Sequence, residues 1–444
     1  MTMDGTMRPR ALKMTAHYMT ASEARRAMAA GSLTPLDLTR ACLGRIAEDD
    51  ARTRAWICMN GAAETQAEAI ASSDPRPLAG IPVAIKDMID TGDMPTTHNS
   101  PLYGGHRPAA DAPCVEVLRA AGAIVLGKAD TFEFAAGGRH AATLNPHDPT
   151  RTPGGSSSGS AAAVGGGHVP LALGTQTGGS TIRPAAYCGA GALKPSWGLI
   201  STEGVKRYAV SFDTVGLFSR SVEDLALLAD VYALPEAPAA TEGRLKIGVC
   251  RTPYFDQALP ETVALFDALE DMLSPVADLV PFDLPAGFDE ADELHRCVMH
   301  CEGASAFLNL VRTRPTLLHD DFHHRVELRG GYTQRQHYEA YDSLALMRIE
   351  MERRMAGVDV VLAPSAPGYA PKLENGLRPK ENPVFNACWT ALQLPVVNLP
   401  VWAPGAELPL GISLIAPRAH DRRLLALAGR LDGLLDQRQA VANF

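Results

Sequence analysis

The spacing of apolar and polar residues predicts several helices in the first part of the chain. Thr20 and Glu23 match a capping box, in which two side chains satisfy the free N–H groups at the start of a helix. Thr34 is expected to cap the next helix, which Pro35 opens without losing a backbone hydrogen bond. Leucine and isoleucine then recur at roughly helical spacing. We therefore expect amphipathic helices over about 20–72.

Beyond Leu78, short apolar runs alternate with helical patterns. Each run is three to five residues long, which is typical of buried strands. The predicted strands cover residues 81–85, 123–126, 171–173, 246–250, 358–362, 396–399 and 411–415. Strands that alternate with helices indicate an α/β layer structure, here with a mostly parallel or mixed sheet.

Charge and composition narrow the possible partners and the compartment. The net charge of −9 argues against nucleic acid or an anionic membrane as the main partner. No apolar run approaches the roughly 18 residues that a membrane helix needs, and residues 1–20 lack the apolar segment of a secretory signal. The eight cysteines show no framework spacing, which favours reduced thiols and a cytoplasmic location.

Glycine and serine dominate residues 151–180, where two serines each follow a pair of glycines. These serines are Ser156 and Ser180. Glycines beside a nucleophile leave backbone N–H groups unobstructed, and such donors stabilise the oxyanion that forms when a carbonyl is attacked. Two simple Gly-Ser turns or a phosphate-binding nest are the alternatives at this point.

A nucleophilic serine needs a base, and the sequence offers two kinds of candidate. Three histidines lie nearby, but none is in a motif that marks it as a catalytic base: His140, His147 and His168. Lys86 ends the apolar run 81–85, and a lysine buried there would favour its neutral form because burial disfavours charge. Taken alone, Lys86 and Asp87 also fit an ordinary surface turn.

Four segments together carry a resemblance to a known family. They are Gly80-Ile-Pro-Val-Ala-Ile-Lys-Asp87, Pro153-Gly-Gly-Ser-Ser-Ser-Gly-Ser-Ala-Ala-Ala-Val164, Gly174-Thr-Gln-Thr-Gly-Gly-Ser-Thr-Ile-Arg-Pro-Ala185 and the stretch from Cys188 to Pro195. In residue type, order and spacing they closely resemble the amidase signature family. The resemblance extends over most of the chain and is looser in its final third.

The resemblance implies a fold and a domain organisation. The expected fold class is α/β, with a large mixed, mostly parallel central β-sheet covered by helices on both faces. The whole chain, 1–444, is expected to form one domain. Within it we expect N-terminal helices over about 20–72, a signature core over about 78–230 and a more variable substrate-pocket region over about 232–390.

The resemblance also implies a role for each site residue. Ser180 is expected to be the nucleophile, and Ser156, after a cis peptide bond, to link it to a neutral Lys86 that accepts the proton. The implied oxyanion hole consists of the backbone N–H groups of Thr177, Gly178, Gly179 and Ser180. The residues expected to contact substrate are Ser157, Phe132, Gln176 and Trp389. No metal or cofactor is expected.

The chain departs from the family pattern beside the nucleophile. Many members have Asp where this chain has Gln176, and Arg where it has Ile182, while Arg183 comes one residue later. Loss of an acid together with a base is what replacing a salt bridge produces. We therefore expect a different local support and an intact site. Ser158, where a third glycine is common, is a smaller departure.

Two other signals carry less weight. A cluster of metal-binding side chains lies at His295, Cys297, His300 and Cys301, but its spacing also fits an ordinary packed helix. The segment 122–128 is nearly a phosphate-binding P-loop, yet its middle residues are apolar and Ala129 replaces the required Ser or Thr.

Several functions share this set of residues. The leading hypothesis is an amidase that cleaves an amide-type C–N bond and releases an amine or ammonia, with a small molecule as its partner and a homodimer as its candidate assembly. A carbamate, urethane or urea-type (allophanate-like) hydrolase would use the same residues, with esterase side activity possible in each case. A different class is the glutamine-hydrolysing component of an amidotransferase complex. A binding module that kept only the fold is a further alternative.

Overall fold

The computed structural model describes residues 15–236, 243–375, 377–379, 381–403 and 405–435. Eleven strands in this part of the chain form one sheet. They are β1 Trp56–Met59, β2 Pro82–Lys86, β3 Ile124–Ala129, β4 Leu171–Gln176, β5 Gly191–Lys194, β6 Thr214–Ser219, β7 Leu245–Val249, β8 Ala277–Pro281, β9 Val360–Pro364, β10 Val396–Val401 and β11 Leu410–Ile415.

Thirteen α-helices in the described part of the chain flank this sheet. They are α1 Ala21–Ala29, α2 Pro35–Thr53, α3 Ala63–Glu68, α4 Pro113–Ala120, α5 Ser158–Gly165, α6 Ile182–Cys188, α7 Val222–Val231, α8 Pro260–Leu273, α9 Ala291–Thr313, α10 Asp320–Val326, α11 Gln334–Met355, α12 Val384–Ala391 and α13 Asp421–Leu435. Short 3-10 helices lie at Ala16–Tyr18, Pro101–Tyr103, Phe255–Gln257, Phe288–Glu290 and Pro315–Leu317.

The order of the strands is β1-β3-β2-β4-β6-β5-β10-β11-β9-β7-β8. Parallel pairs occur in two blocks, β3-β2-β4 and β9-β7-β8, and antiparallel pairs join these blocks and add β1 at one edge. The predicted α/β class with a large mixed sheet is confirmed. Antiparallel neighbours are more numerous than expected because β5, β6, β10 and β11 each pair with antiparallel partners on both sides.

The predicted start of the helical region is present in detail. Both capping boxes form: the Thr20 side chain accepts from the Glu23 N–H, and the Thr34 side chain accepts from the Asp37 N–H. The apolar faces of α1 and α2 join the main hydrophobic cluster, which also contains the inward residues of β2, β3 and β4. The beginning of the chain, 1–14, where no secretory signal is expected, lies outside the described residues.

Strand direction brings the polar residues of the site to one edge of the sheet. Because β2 and β4 are parallel, their carboxyl ends, Lys86 and Gln176, lie at the same edge. Strand β6 runs antiparallel to β4, and its first residue, Thr214, pairs with Gln176. Asp213, the residue before β6, therefore lies at this edge too. No helix in the described ranges is both long and apolar enough to cross a membrane.

Candidate active site

Lys86 is the polar centre of the site. Its side chain has no solvent exposure. The side-chain nitrogen Nζ lies 2.8 Å from Ser156 Oγ, 2.9 Å from Ser157 Oγ and 2.7 Å from Thr175 Oγ1. Lys86 thus has hydroxyl partners for its nitrogen, and no carboxylate among the described residues is in direct contact to stabilise a positive charge.

Burial lowers the pKa of Lys86 well below that of an exposed lysine, and the charge of Asp213 opposes this shift only in part. This shift favours the neutral amine over the ammonium form. A neutral amine keeps a free lone pair, so Lys86 is able to accept a proton from a neighbouring hydroxyl. The alternative of a surface turn at Lys86 and Asp87 is wrong, because both residues are fully buried.

The Gly-Ser segment folds tightly against the end of β2. The peptide bond between Gly155 and Ser156 is cis, as the family resemblance implies. A Cβ atom on Gly155 would lie 2.2 Å from Cζ of Phe132, so only glycine fits beneath that ring. Ser158 is the first residue of α5, and its hydroxyl donates to the Gly154 carbonyl at 2.7 Å. The serine at 158 thus supports the turn that presents Ser156.

Ser180 follows β4 and faces the same cavity as Ser156. The cavity has a volume of about 430 Å³, and the whole segment Thr177–Ser180 lines it. Ser180 is partly exposed, whereas Ser156 is buried. In the described part of the chain the Ser180 hydroxyl has no hydrogen-bond partner, so its link to Ser156 stays a prediction. Hydrogen bonds between catalytic groups are often long before substrate binds.

Asp213, the residue before β6, supports the segment Thr177–Ser180. Its carboxylate accepts from Thr177 Oγ1 at 2.5 Å and from the N–H groups of Tyr208 and Ala209 at 2.7 and 3.1 Å. Burial raises the pKa of Asp213 to about 6, although these hydrogen bonds oppose the shift. The residue type and position of Asp213 alone predicted no role for it.

Gln176 explains the first departure from the family pattern. Its side chain is fully buried, and Oε1 accepts from the N–H groups of Thr181 and Ile182 at 2.8 and 3.0 Å, where α6 begins. Its Nε2 donates to Thr390 Oγ1 at 2.9 Å. A neutral amide thus satisfies the first N–H groups of α6, so no arginine is needed at position 182. The expected change of local support is present.

Arg183 forms the other half of this support. Its Nε contacts Glu381 Oε2 at 2.8 Å, and its Nη2 donates to the Gly155 carbonyl at 2.7 Å. Both charged side chains are almost fully buried. The ion pair joins the beginning of α6 to a distant segment beside α12. It also places the guanidinium in the cavity wall next to Ser180.

The four residues expected to contact substrate divide between the cavity and its surroundings. Phe132 lines the cavity and stacks on His140, another lining residue, with 4.7 Å between ring centroids. Ser157 and Gln176 lie beneath the surface, where they bind Lys86 and the start of α6. Trp389 is 1% exposed and belongs to the main hydrophobic cluster. None of these three residues lines the cavity, so substrate contact by them stays a prediction.

The histidine and cysteine cluster divides in a similar way. His295 turns toward the segment Thr177–Ser180, where its Nε2 lies 2.8 Å from the Thr177 carbonyl oxygen. Cys297 and Cys301 join the hydrophobic cluster around Phe212. In the described ranges, no three histidine, cysteine or acidic side chains converge on one point that could hold a metal.

The layout resembles the amidase signature site, and comparison with known proteins establishes the family. The Amidase family profile matches residues 37–425, so the chain belongs to the amidase family. The A component of the glutamyl-tRNA(Gln) amidotransferase of Thermus thermophilus is 34% identical over 456 aligned residues, which cover 92% of this chain and 96% of the relative.

Two solved structures show the same architecture. A protein described as an amidase superposes with a TM-score of 0.84 at 28% identity, covering 94% of this chain and 100% of that chain. A second structure, described as a vestigial protein complex that reveals the origins of an s-triazine catabolic enzyme, superposes with a TM-score of 0.83 at 29% identity. The match covers 93% of this chain and 98% of that chain.

These comparisons correct the expectation about partners. We expected a small-molecule substrate and at most a second copy of the chain. The similar protein of Thermus thermophilus is named as one component of a multi-subunit amidotransferase, and so is a solved structure from Thermotoga maritima at 26% identity. Charge and composition gave no sign of this, because a surface that contacts another protein does not need a distinctive sequence.

Proposed function

We propose that the chain hydrolyses an amide-type C–N bond through an acyl-enzyme on Ser180. The observation that carries the proposal is the position of Lys86, which is buried, favours its neutral form and lies 2.8 Å from Ser156 Oγ. A neutral amine in this position is a base that can activate a serine without histidine. The cavity that contains both Ser156 and Ser180 gives a substrate access to the pair.

Proton transfers in the proposed mechanism return the site to its starting state. The Ser180 oxygen attacks the substrate carbonyl carbon while its proton passes to Ser156 Oγ, and the Ser156 proton passes to Lys86. The negative oxygen of the tetrahedral intermediate accepts hydrogen bonds from the backbone N–H groups of 177–180. The proton then returns through Ser156 to the leaving nitrogen as the C–N bond breaks. Water repeats the sequence on the acyl-enzyme and releases the acid.

The charge of the cavity wall favours an acyl group that carries a carboxylate. Three guanidinium groups line the cavity, from Arg183, Arg325 and Arg378, against one lining carboxylate, Glu381. Arg183 is only 6% exposed, and its Nη1 has no hydrogen-bond partner in the described part of the chain. A buried guanidinium with a free N–H group is well suited to bind a carboxylate.

Two nitroanilides test this substrate preference. We expect the mono-p-nitroanilide of succinic acid to be hydrolysed with a kcat/KM at least about tenfold higher than that of p-nitroacetanilide, because a charge-assisted hydrogen bond contributes about 1.5–3 kcal/mol. Arg183→Met should remove most of the difference. Equal rates for both compounds in the wild-type protein would contradict the preference and leave the hydrolysis proposal intact.

A panel of amides, carbamates, ureas and esters tests the proposed reaction itself. Product analysis should find the free acid and the amine or ammonia, and rapid acid quenching followed by mass spectrometry should find the acyl group on Ser180. Ser180→Ala should abolish both signals. Turnover that persists in Ser180→Ala, or an acyl group on another residue, would contradict the assignment. Faster cleavage of carbamates or ureas than of amides would favour that alternative within the same mechanism.

The second candidate is an amide-hydrolysing component of a larger complex. The observation that favours it is the name shared by the similar proteins from Chloroflexus aurantiacus and Thermus thermophilus, both of which are components of a glutamyl-tRNA(Gln) amidotransferase. In this case glutamine would be the substrate and a partner protein would use the ammonia. Ammonia release from glutamine that rises strongly when the chain is co-purified with its native partners would favour this candidate. High activity of the isolated chain on simple amides would favour the first.

We also propose the cytoplasmic location that the cysteine content suggests. All eight cysteines lie in the described part of the chain and are free thiols. Seven of them are buried, which protects them from oxidation.

A further inference from the structure

This inference rests on the proposed function and concerns the orientation of the oxyanion segment Thr177–Ser180. Two consecutive carbonyl groups of this segment are held by side chains from distant helices. His295 of α9 contacts the Thr177 carbonyl oxygen at 2.8 Å, and Thr390 of α12 donates to the Gly178 carbonyl oxygen at 2.6 Å. The sequence predicted no role for either residue beyond the metal-binding alternative for His295.

The surroundings of His295 favour its contact with the Thr177 carbonyl. His295 is 1% exposed and stacks on Phe212 with 4.7 Å between ring centroids. Because a carbonyl oxygen only accepts hydrogen bonds, the ring must carry its hydrogen on Nε2. Burial lowers the pKa of His295, so the neutral ring is favoured. The other nitrogen, Nδ1, has no hydrogen-bond partner in the part of the chain that the structure describes.

The threonine completes a chain of hydrogen bonds. Thr390 Oγ1 accepts from Gln176 Nε2 at 2.9 Å, which leaves its single hydrogen free to be donated. Two carbonyls are in reach, Gly178 O at 2.6 Å and Asn386 O at 3.1 Å, and the shorter contact is the one to Gly178. The two hydrogen bonds therefore run in one direction, from Gln176 Nε2 to Thr390 Oγ1 and from Thr390 Oγ1 to the Gly178 carbonyl.

The geometry of the peptide group transmits these contacts to the cavity. In a trans peptide the C=O and N–H groups point in opposite directions from one rigid plane. Fixing the Thr177 carbonyl therefore fixes the Gly178 N–H, and fixing the Gly178 carbonyl fixes the Gly179 N–H. His295 also packs behind Gly178: a Cβ atom there would lie 3.6 Å from His295 Cε1, while Gly178 itself lines the cavity.

We propose that His295 and Thr390 are positioning residues that aim the N–H groups of Gly178 and Gly179 at the substrate oxygen. They do not touch the reacting atoms. They hold two peptide planes in the orientation that stabilises negative charge in the transition state, before substrate arrives. Since such donors act on the transition state far more than on the bound substrate, their loss should lower kcat and leave KM nearly unchanged.

Matched pairs of variants test the proposal. His295→Leu and Thr390→Val remove the donor and keep much of the volume, whereas His295→Gln and Thr390→Ser retain an N–H or O–H near the same position. The probes are p-nitrophenyl acetate, for kcat and KM, and a fluorophosphonate, for the second-order rate of Ser180 phosphonylation followed by intact-protein mass spectrometry. Phosphonylation also places negative charge on an oxygen in the oxyanion hole, so it reports on the same donors without knowledge of the natural substrate.

We expect His295→Leu and Thr390→Val each to lower kcat and the phosphonylation rate by about 10–100-fold, with KM changed less than about threefold. His295→Gln and Thr390→Ser should recover to within about fivefold of the wild-type protein. His168→Leu is the matched control, because His168 is an equally buried histidine that binds Asp49 instead of the site. It should lower the melting temperature but leave kcat unchanged.

Three results would overturn the proposal. The first is a kcat within about threefold of wild type in both donor-free variants. The second is a loss in His295→Gln as large as that in His295→Leu while circular dichroism shows both to be folded. The third is a wild-type protein with no Ser180 labelling and no hydrolysis, which removes the proposed function itself. The first two leave the proposed function standing, so the two failures are distinguishable.

Discussion

At the scale of single residues, the proposed site depends on a lysine whose surroundings favour its neutral form. Three hydroxyl groups contact Lys86 Nζ, and the charge of Asp213 raises the pKa of Lys86. Hydroxyl groups donate to the amine or accept from it without fixing a charge, so the lysine can change protonation state during the reaction. A carboxylate in direct contact would instead hold Lys86 as the ammonium form and remove the base.

The first prediction concerns the pH dependence of activity. Only neutral Lys86 accepts a proton, so kcat/KM should be low at acid pH, rise as pH passes through the lowered pKa of Lys86 and stay level above it. The rise should lie well below the ordinary lysine pKa of about 10.4. A pH series on wild type and Lys86→Ala checks this, since the variant should show only weak activity without the rise. The same profile in both proteins would refute the role of Lys86.

The second prediction separates Lys86 from its electrostatic neighbour. Asp213 raises the pKa of Lys86 through its negative charge. Asp213→Asn should therefore move the rising limb of the pH–rate profile to lower pH. The asparagine oxygen still accepts from the N–H groups of Tyr208 and Ala209, so the segment should keep its place. A limb that stays in position or moves to higher pH would contradict the expected effect of the Asp213 charge on Lys86. Asp230→Asn, at the exposed end of α7, is the matched control.

At the scale of elements, the sequence predicted those whose signals are local. Thr20 with Glu23 and Thr34 with Asp37 form capping boxes because each pair is only three residues apart. The apolar run before Lys86 forms β2, since every residue of that strand is buried. All seven predicted strands are present.

The strands that were missed lack such a signal. Two of them lie at the edges of the sheet, where burial is incomplete: β1 alternates between partly buried and exposed residues, and β8 is mostly exposed or partly buried. Strands β5 and β6 are buried along their length but contain glycine, serine or threonine. Their strand form depends on pairing with each other and with β4 and β10, which no short window of sequence encodes.

The third prediction concerns the start of α6. Gln176→Leu would leave the N–H groups of Thr181 and Ile182 buried without their acceptor, and each such group costs about 1–3 kcal/mol. We expect the free energy of unfolding to fall by about 2–4 kcal/mol in a denaturant titration. Gln334→Leu, at the exposed start of α11, should change it by less than about 0.5 kcal/mol. Equal effects of both substitutions would contradict the capping role of Gln176.

At the scale of the whole molecule, one sheet runs through the described part of the chain and connects the early strands to the late ones. Residues that are far apart in the sequence form the candidate site. Lys86 comes from β2, Ser180 follows β4, and His295 and Thr390 come from α9 and α12. The choice of Lys86, Ser156 and Ser180 as candidate triad residues was predictable because the family motifs contain them, and their role stays a prediction. The supporting residues were not, because their contacts join segments more than a hundred residues apart.

The fourth prediction follows from the single sheet that connects the early and late strands. We propose that the chain folds as one domain, so that helix content and core packing are lost together on heating. Circular dichroism at 222 nm and tryptophan fluorescence should give a single transition with the same midpoint, the coincidence expected when no intermediate accumulates. Two separated transitions would contradict the single-domain proposal and indicate that the two parallel blocks of the sheet unfold independently.

The measurement that tests the central claim most directly is peptide mass spectrometry after treatment with a fluorophosphonate. The claim is that buried Lys86 activates Ser180 through Ser156. We expect one adduct, on Ser180, in the wild-type protein, and little or none in Lys86→Met, whose side chain keeps the volume of lysine but has no base. Circular dichroism would confirm that the variant is folded. An adduct on another residue, or equal labelling of Ser180 in Lys86→Met, would contradict the claim.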